Sequence, residues 1–486
     1  MSAAPGAGAA LDAVVVGSGP NGLAAAVLLA RAGHSVRVLE AADDVGGGTR
    51  SAELTVPGLV HDVCSGIHPF GVASPFLASL PLEQHGLRWC WPEIDLAHPV
   101  DGPGSAAGDV GLMFTDLDRT CESLGADGPR WRRLVGPLVE HFGELAGDVL
   151  GPVLRWPDHP LRMAGFGARA LLPATTVART LRTPAGRGLW AGNAAHLFGP
   201  LGRPLSSAVG LMLVAAGHVH GWPVAEGGSG AISSALVSLL EANGGTVETG
   251  RLVRSSADLP PSRVVLLDTA PGAAAVILGD RLPRRVGRAY RRFRHGPAAF
   301  KVDLAVRDGI PWAAPDARLA GTVHVGGTSE QIAAAEAAVA RGVMPERPFV
   351  LVGQQSVADP SRAVGDLHPV YAYAHVPSGW HGDGEAVVID QIEHFAPGFR
   401  ERIVQVAARR PAELATDNPN LVRGDIAGGA NDPRQLIARP RLALDPYATG
   451  VPGVYLCSAS TPPGAGVHGM AGFHAATRAA RWLRQR

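Results

Sequence analysis

Cysteine is scarce. The 486 residues hold four, Cys64, Cys90, Cys121 and Cys457, spread along the chain with no CxxC pair. That spacing argues against a disulfide framework, a zinc knuckle and a dithiol redox centre. Lysine is scarcer still: Lys301 is the only one, and the other basic residues are all arginine. GC-rich coding explains this bias, together with the abundant alanine and glycine. No charge of either sign is in excess, since 43 basic residues face 43 acidic ones. A nucleic-acid partner, which needs a concentrated basic surface, is not expected. Long apolar runs are missing near the start, where Leu23–Ala30 ends at Arg31, well short of the ~20 residues that cross a bilayer. Residues 1–11 are small and carry no basic stretch, so no secretory signal is expected. What is plentiful is apolar surface, 46% of residues, too much for a disordered chain. The expectation is a globular cytoplasmic protein of several domains or one large interleaved unit.

The first chemical motif spans residues 12–40. Ala13-Val14-Val15-Val16 is a continuous apolar run, as a parallel strand buried on both faces requires. Gly17-Ser18-Gly19-Pro20-Asn21-Gly22 follows and fits G-x-G-x-x-G. Gly17 permits the tight turn, Gly19 lets a pyrophosphate approach the backbone, and Gly22 lets the next helix pack closely on the sheet. The pattern predicts a helix over Leu23–Ala32, stopped by Gly33, then a strand over Val36–Leu39. The helix start offers N–H groups and a positive dipole end to phosphates. Glu40 ends the second strand, where a carboxylate accepts hydrogen bonds from the ribose hydroxyls of a dinucleotide. Gly46-Gly47-Gly48-Thr49-Arg50 comes next. This cluster resembles the second fingerprint of the glutathione-reductase-type FAD fold, with glycines and a basic residue along the pyrophosphate and ribityl chain. It selects FAD over NAD. Asp43 and Asp44, just before it, read as solvated loop charge.

The motif does not recur. Glu226-Gly227-Gly228-Ser229-Gly230-Ala231 lacks the final glycine, so a separate NAD(P)H domain is not expected, and electrons should enter from the substrate. A helix is predicted over Ala231–Ala242, and strands over Thr246–Val253, Val264–Asp268 and Gly453–Ser458. The last strand runs into a glycine-rich turn, Ser460–Met470, and a terminal helix. A second helix N-terminus there can stabilise negative charge on a reduced flavin.

Seven segments together resemble a known family: GSGPNGLAAAVLLARAG, GGGTRSAEL, PVAEGGSGAISSAL, GPAAFKVD, HFAPGFR, DNPNLVRGDIAGGA and YLCSASTPPGAGVHGMAGFHAA. The chain is similar to the phytoene desaturase-related FAD oxidoreductases, in particular the branch named pyridine nucleotide-disulfide oxidoreductase domain-containing protein two and its bacterial relatives. The resemblance implies an α/β fold. A discontinuous FAD-binding Rossmann domain would comprise residues 1–60, 223–270 and 440–486, with a mostly helical insert at 61–222 and a strand-rich substrate domain at 271–439. The substrate would lie over the flavin, between the domains. The implied FAD-binding residues are Gly17, Ser18, Gly19, Pro20, Asn21 and Gly22 in the first turn, with Glu40 and Ala41 after the second strand. Gly47, Gly48, Thr49 and Arg50 follow, then Val253. Ser458, Ala459, Gly466, Val467, His468, Gly469 and Met470 complete the set near the C-terminus. Departures are central: Leu304 stands where the branch usually has tryptophan, and Gln355–Asp359 and Arg362–Val364 replace aromatics and prolines. The cofactor would be shared and the substrate site altered.

Two residues are candidates for chemistry. Phe300-Lys301-Val302-Asp303-Leu304-Ala305-Val306 alternates like a strand. It resembles the strand of flavin amine oxidases whose lysine holds a water against flavin N5; the other reading is a strand lysine with its head in solvent. His468, in the flavin-facing turn, is either a base near neutral pH or a packing residue. His218 and His220 lack a third ligand at metal spacing, so they read as surface residues and no metal is expected. Residues 159–225 hold six arginines and no acid, beside apolar stretches such as Ala208–Ala216. This is either an entrance facing a membrane or an acidic carrier, or a core helix with solvated arginines. The turn Pro462–Gly466 has no aromatic residue and the chain only five tyrosines, which disfavours amine oxidation. The expected reaction is hydride removal from an apolar, unsaturated small molecule, by desaturation or aromatisation, with oxygen or a quinone reoxidising the flavin. The alternatives are a redox-neutral isomerase, a ketolase or a flavin-binding scaffold without turnover.

Overall fold

Five short parallel strands form the sheet that carries the N-terminal motif. Their order is Val454–Leu456, Ser262–Leu267, Leu11–Val16, Val36–Leu39 and Thr246–Glu248. The computed structural model describes residues 10–101 and 108–485; residues 1–9, read above as carrying no signal, lie outside them. The strands are apolar on both faces because both are covered. Ala13, Val15, Val264 and Leu266 pack with the helices Pro20–Arg31, Gly230–Ala242 and Met470–Arg484. Val14, Val16, Val265 and Leu267 pack with the helices Pro271–Leu278 and Arg284–Arg291. The last helix lies tightly against the first. A Cβ at Gly472 would stand 1.9 Å from the carbonyl oxygen of Asn21, so only glycine permits the approach.

A second, mixed sheet has seven strands. Its order is Ile403–Arg409, Ala298–Arg307, Leu367–Val376, Val350–Gly353, Ala320–Val325, Ile94–Pro99 and Val110–Met113. Neighbours are antiparallel except Ala320–Val325 with Ile94–Pro99. The period-2 alternation sorts its side chains. Val302, Leu304, Val306, Val370, Ala372 and Ala374 form an aliphatic core with the helix Glu385–Phe395. The opposite face carries Lys301 and Asp303 beside Tyr373 and Tyr371, their register partners.

Several expectations need correction. The mostly helical segment 61–222 also contributes Ile94–Pro99 and Val110–Met113 to the second sheet. Residue 271 is not a boundary in packing terms, since the helices that follow it cover the parallel sheet. A parallel crossover needs a helix on the sheet face, and these supply it. The strand predicted over Thr246–Val253 stops at Glu248. Beyond it, Gly250 and Arg251 donate backbone hydrogen bonds to the carbonyls of Ala42 (2.9 Å) and Glu40 (2.7 Å), which turns the chain across the end of the second strand.

Leu304 points into the aliphatic core, away from Tyr371 and Tyr373. Gln355 and Arg362 both reach Asp62, at 3.4 and 3.3 Å, and Asp359 accepts from the Gly227 N–H at 2.8 Å. The central departures therefore serve packing and loop clasping. His218 is not at the surface. It lies buried in the helix Ala208–His220 and accepts a hydrogen bond from Trp131 Nε1 at 3.0 Å, and burial lowers its pKa to about 4. That helix packs in the main core, which supports the core reading of the acid-free stretch. Among the described residues no three His, Cys, Asp or Glu side chains are grouped to hold a metal, and no helix is long and apolar enough to cross a membrane.

Candidate functional site

A cavity of about 720 Å³ runs from the glycine turn to the inward face of the second sheet. At one end its wall is mostly backbone: Gly17, Gly19, Pro20 and Asn21, then Glu40 and Ala41, Gly47, Gly48 and Arg50, and Val253. Ser458, Ala459, Gly466 and Val467 border it further along. At the other end the wall is side chains, among them Ile67, Phe70, Phe198, Leu213, Trp222, Tyr371 and Tyr373, with His196; Asn431 and Arg439 also line the cavity, Arg439 beside the Ala459 carbonyl.

The first end fits a dinucleotide. A Cβ at Gly22 would lie 2.1 Å from the Gly17 carbonyl oxygen, so the turn can fold back on its helix only if that position is bare. The helix Pro20–Arg31 begins at this turn and points its N-terminus at the cavity wall, where backbone N–H groups favour phosphate oxygens. Glu40 is held in place: Oε2 accepts from the Ser18 N–H (2.8 Å) and hydroxyl (2.6 Å), and Oε1 from the Ala42 N–H (2.9 Å).

Six of the expected cofactor residues stand behind the wall. Ser18 ties Glu40 to the second glycine cluster, accepting from the Gly46 N–H at 3.1 Å. Thr49 contacts the Ser233 hydroxyl and donates to the Gly46 carbonyl. Gly22, Gly469 and Met470 are packing positions of their helices. His468 is buried and caps the terminal helix, its Nδ1 accepting from the Met470 N–H at 3.1 Å and its carbonyl from the Ser74 hydroxyl at 2.6 Å. Burial lowers its pKa to about 4. It is a neutral cap whose ring edge lies against the cavity-lining turn, with Cδ2 2.9 Å and Nε2 3.3 Å from the Cβ position of Gly466.

Lys301 also stands behind the wall, but not in solvent. Its ammonium is buried, ion-paired with Asp303, and lies 4.4 Å from the ring centroid of Tyr371, a residue that lines the cavity. Asp303 is shared with Arg409 Nη2 at 3.2 Å. Burial lowers the lysine pKa, and Asp303 opposes that shift.

Two wall features carried no sequence signal. Asp268, at the end of the strand Ser262–Leu267, accepts from the Gly22 N–H at 2.9 Å; burial raises its pKa to about 7. At the far end, His196 Nε2 lies 3.0 Å from His324 Nε2. Burial holds His196 near pKa 3, so it meets a ligand as a neutral imidazole. The tyrosine pair could have been found, because Val370-Tyr371-Ala372-Tyr373-Ala374 alternates visibly.

Comparison with known proteins agrees with this geometry. Residues 15–79 match the family described as NAD(P)-binding Rossmann-like domain. The chain is 25% identical to the rat (Rattus norvegicus) pyridine nucleotide-disulfide oxidoreductase domain-containing protein 2, over 96% of this chain and 92% of that one. The family resemblance read from the sequence is thus nearly full-length. Among solved structures, putrescine oxidase bound to putrescine superposes with a TM-score of 0.60 at 19% identity, covering 98% of this chain and 99% of that one. Cyclohexylamine oxidase from Brevibacterium oxydans gives 0.58 at 15%, with 98% and 99% covered. At such identity the likeness is one of fold. The chain carries a dinucleotide-binding Rossmann domain in the architecture of these oxidases.

Proposed function

We propose that the protein is an FAD-dependent oxidoreductase that removes hydride from a C–H bond of an apolar small molecule. The observation that carries this reading is the continuity of the cavity, from the glycine turn to an aromatic-lined end between the two sheets. Gly17, Gly19 and Asn21 would hold the pyrophosphate, Glu40 the ribose, and Gly466 and Val467 the flavin side. Bound there, FAD supplies the hydride acceptor, a chemistry side chains lack. The chain itself binds, orients and excludes water. Ile67, Phe70, Leu213 and Trp222 surround the substrate with apolar surface, and His196, oriented by His324, offers one neutral hydrogen-bonding group.

Desaturation or aromatising dehydrogenation suits this wall better than amine oxidation. The acids that border the cavity are Glu40, Asp44, Asp268 and Asp417, and all lie toward the dinucleotide end, so a protonated amine would find no carboxylate among the aromatic residues. The purified protein is expected to show a flavin spectrum and to release FAD on heating. Under anaerobic conditions a screen of apolar unsaturated compounds should find one that bleaches it. A colourless protein that takes up no added FAD would overturn the proposal; a flavoprotein bleached only by amines would overturn its substrate half.

A further inference from the structure

Three cations are buried among the described residues: Lys301, Arg362 and Arg439. Lys301 is paired with Asp303 and Arg362 with Asp62. Arg439 has neutral partners only. Its Nε donates to the Gln435 carbonyl (3.3 Å), Nη1 to the Ala459 carbonyl (3.4 Å) and Nη2 to the Asn431 side-chain oxygen (2.7 Å). The nearest acids, Asp425 and Asp432, act on it only through space. Each is already engaged, Asp425 by His295 at 3.2 Å and Asp432 by Arg294 at 2.7 Å. Burial lowers the pKa of Arg439 to about 10, so it remains a cation at neutral pH. A charge held out of water without a counter-charge is costly and is normally paired.

The guanidinium is also placed to meet a ligand. Arg439 lines the cavity, and its partner Asn431 donates from Nδ2 to the Leu197 carbonyl at 2.9 Å. Leu197 lies between His196 and Phe198, both in the wall. The fork therefore stands between the two walls, with Nη1 on the Ala459 carbonyl of the C-terminal turn and Nη2 held, through Asn431, to the segment that carries His196 and Phe198.

We infer that the substrate is an apolar acid whose carboxylate pairs with Arg439 while its hydrocarbon body fills the aromatic end of the cavity. This rests on the function proposed above and narrows it to a substrate class. A guanidinium presents two parallel donors to a carboxylate, and three of its five N–H groups suffice for the contacts already described. No covalent step is assigned to Arg439; it positions the substrate.

The test is calorimetric titration of the FAD-loaded protein, and separately of the protein stripped of FAD, with 2-naphthoate and with its uncharged analogue 2-naphthamide. The expected result is naphthoate binding on the order of tenfold to hundredfold tighter than naphthamide, the worth of a charge-assisted pair. Arg439→Met should lose that preference while retaining FAD, and Arg439→Lys should recover part of it. Equal affinity for the two probes in the unaltered protein overturns the inference. So does Arg439→Met protein that folds but no longer holds FAD, since the arginine would then serve the cofactor. Failure of the unaltered protein to take up FAD sinks the oxidoreductase reading instead, and the titration of the stripped protein still decides whether the cavity prefers the anion.

Discussion

The two ends of the cavity are built on different principles. At the dinucleotide end the wall is backbone, glycine at fixed intervals around a helix start. At the aromatic end it is side chains from segments as distant in sequence as Ile67, His196 and Tyr371. A backbone wall recognises groups common to every dinucleotide and tolerates almost no change in its own residues. A side-chain wall can be rebuilt residue by residue, and so sets which substrate is taken.

The sharpest way to break this contrast is at Gly22. Gly22→Val would drive a branched side chain into the Gly17 carbonyl, already 2.1 Å from a bare Cβ position. Complete loss of bound flavin is expected, read from the absorbance per mole of folded protein. Flavin retained at full occupancy would mean that the turn does not hold the cofactor.

Lys301→Met tests what stands behind the aromatic end. Removing one member of a buried ion pair costs about 3–5 kcal/mol when the other is left uncompensated. Here Arg409 still reaches Asp303 at 3.2 Å, so a loss near the lower bound is expected in a denaturant melt. Lys301→Met/Asp303→Leu should recover much of it. If instead stability holds and flavin reduction fails, the lysine acts in the chemistry and its position behind Tyr371 is not the working one.

His196→Leu removes the neutral imidazole from the aromatic end. Flavin content should be unchanged, and substrate-driven bleaching should slow roughly tenfold, the worth of one oriented hydrogen bond. An unchanged rate would show that the apolar wall alone positions the substrate.

The same contrast explains what could be read before the structure was known. The glycine turn, both flanking strands and Glu40 were legible because a local backbone path dictates residue types at fixed spacing. Even the pairing of Lys301 with Asp303 was latent, since residues two apart on a strand share a face. What was illegible is what that face meets: Tyr371 and Arg409 arrive from other strands. His468 is the converse case: its place in the glycine-rich turn was legible, and the hydrogen bond by which its Nδ1 caps the terminal helix was not. Arg439 and His196 sit in no motif, and only tertiary folding gives them a cavity to line.

The smallest expected effect is a pH dependence at the backbone end. Burial raises the pKa of Asp268 to about 7 from an ordinary 3.8, so the folded chain holds a proton there that the unfolded chain has released. Stability must then fall as pH rises from about 4 to about 7, because the native state binds more protons across that window. Asp268→Asn should flatten this part of the melting-temperature profile. The carboxyl also stands against the glycine turn, with Oδ2 2.7 Å from the Cβ position of Gly19, where an ionised group would repel a phosphate. Flavin affinity should therefore weaken between pH 6 and pH 8 in the unaltered protein, a window centred on the pKa of about 7, and stay level in the asparagine variant. Parallel profiles in the two proteins would mean that Asp268 does not change its protonation across this window, and that any pH dependence of the backbone end comes from elsewhere.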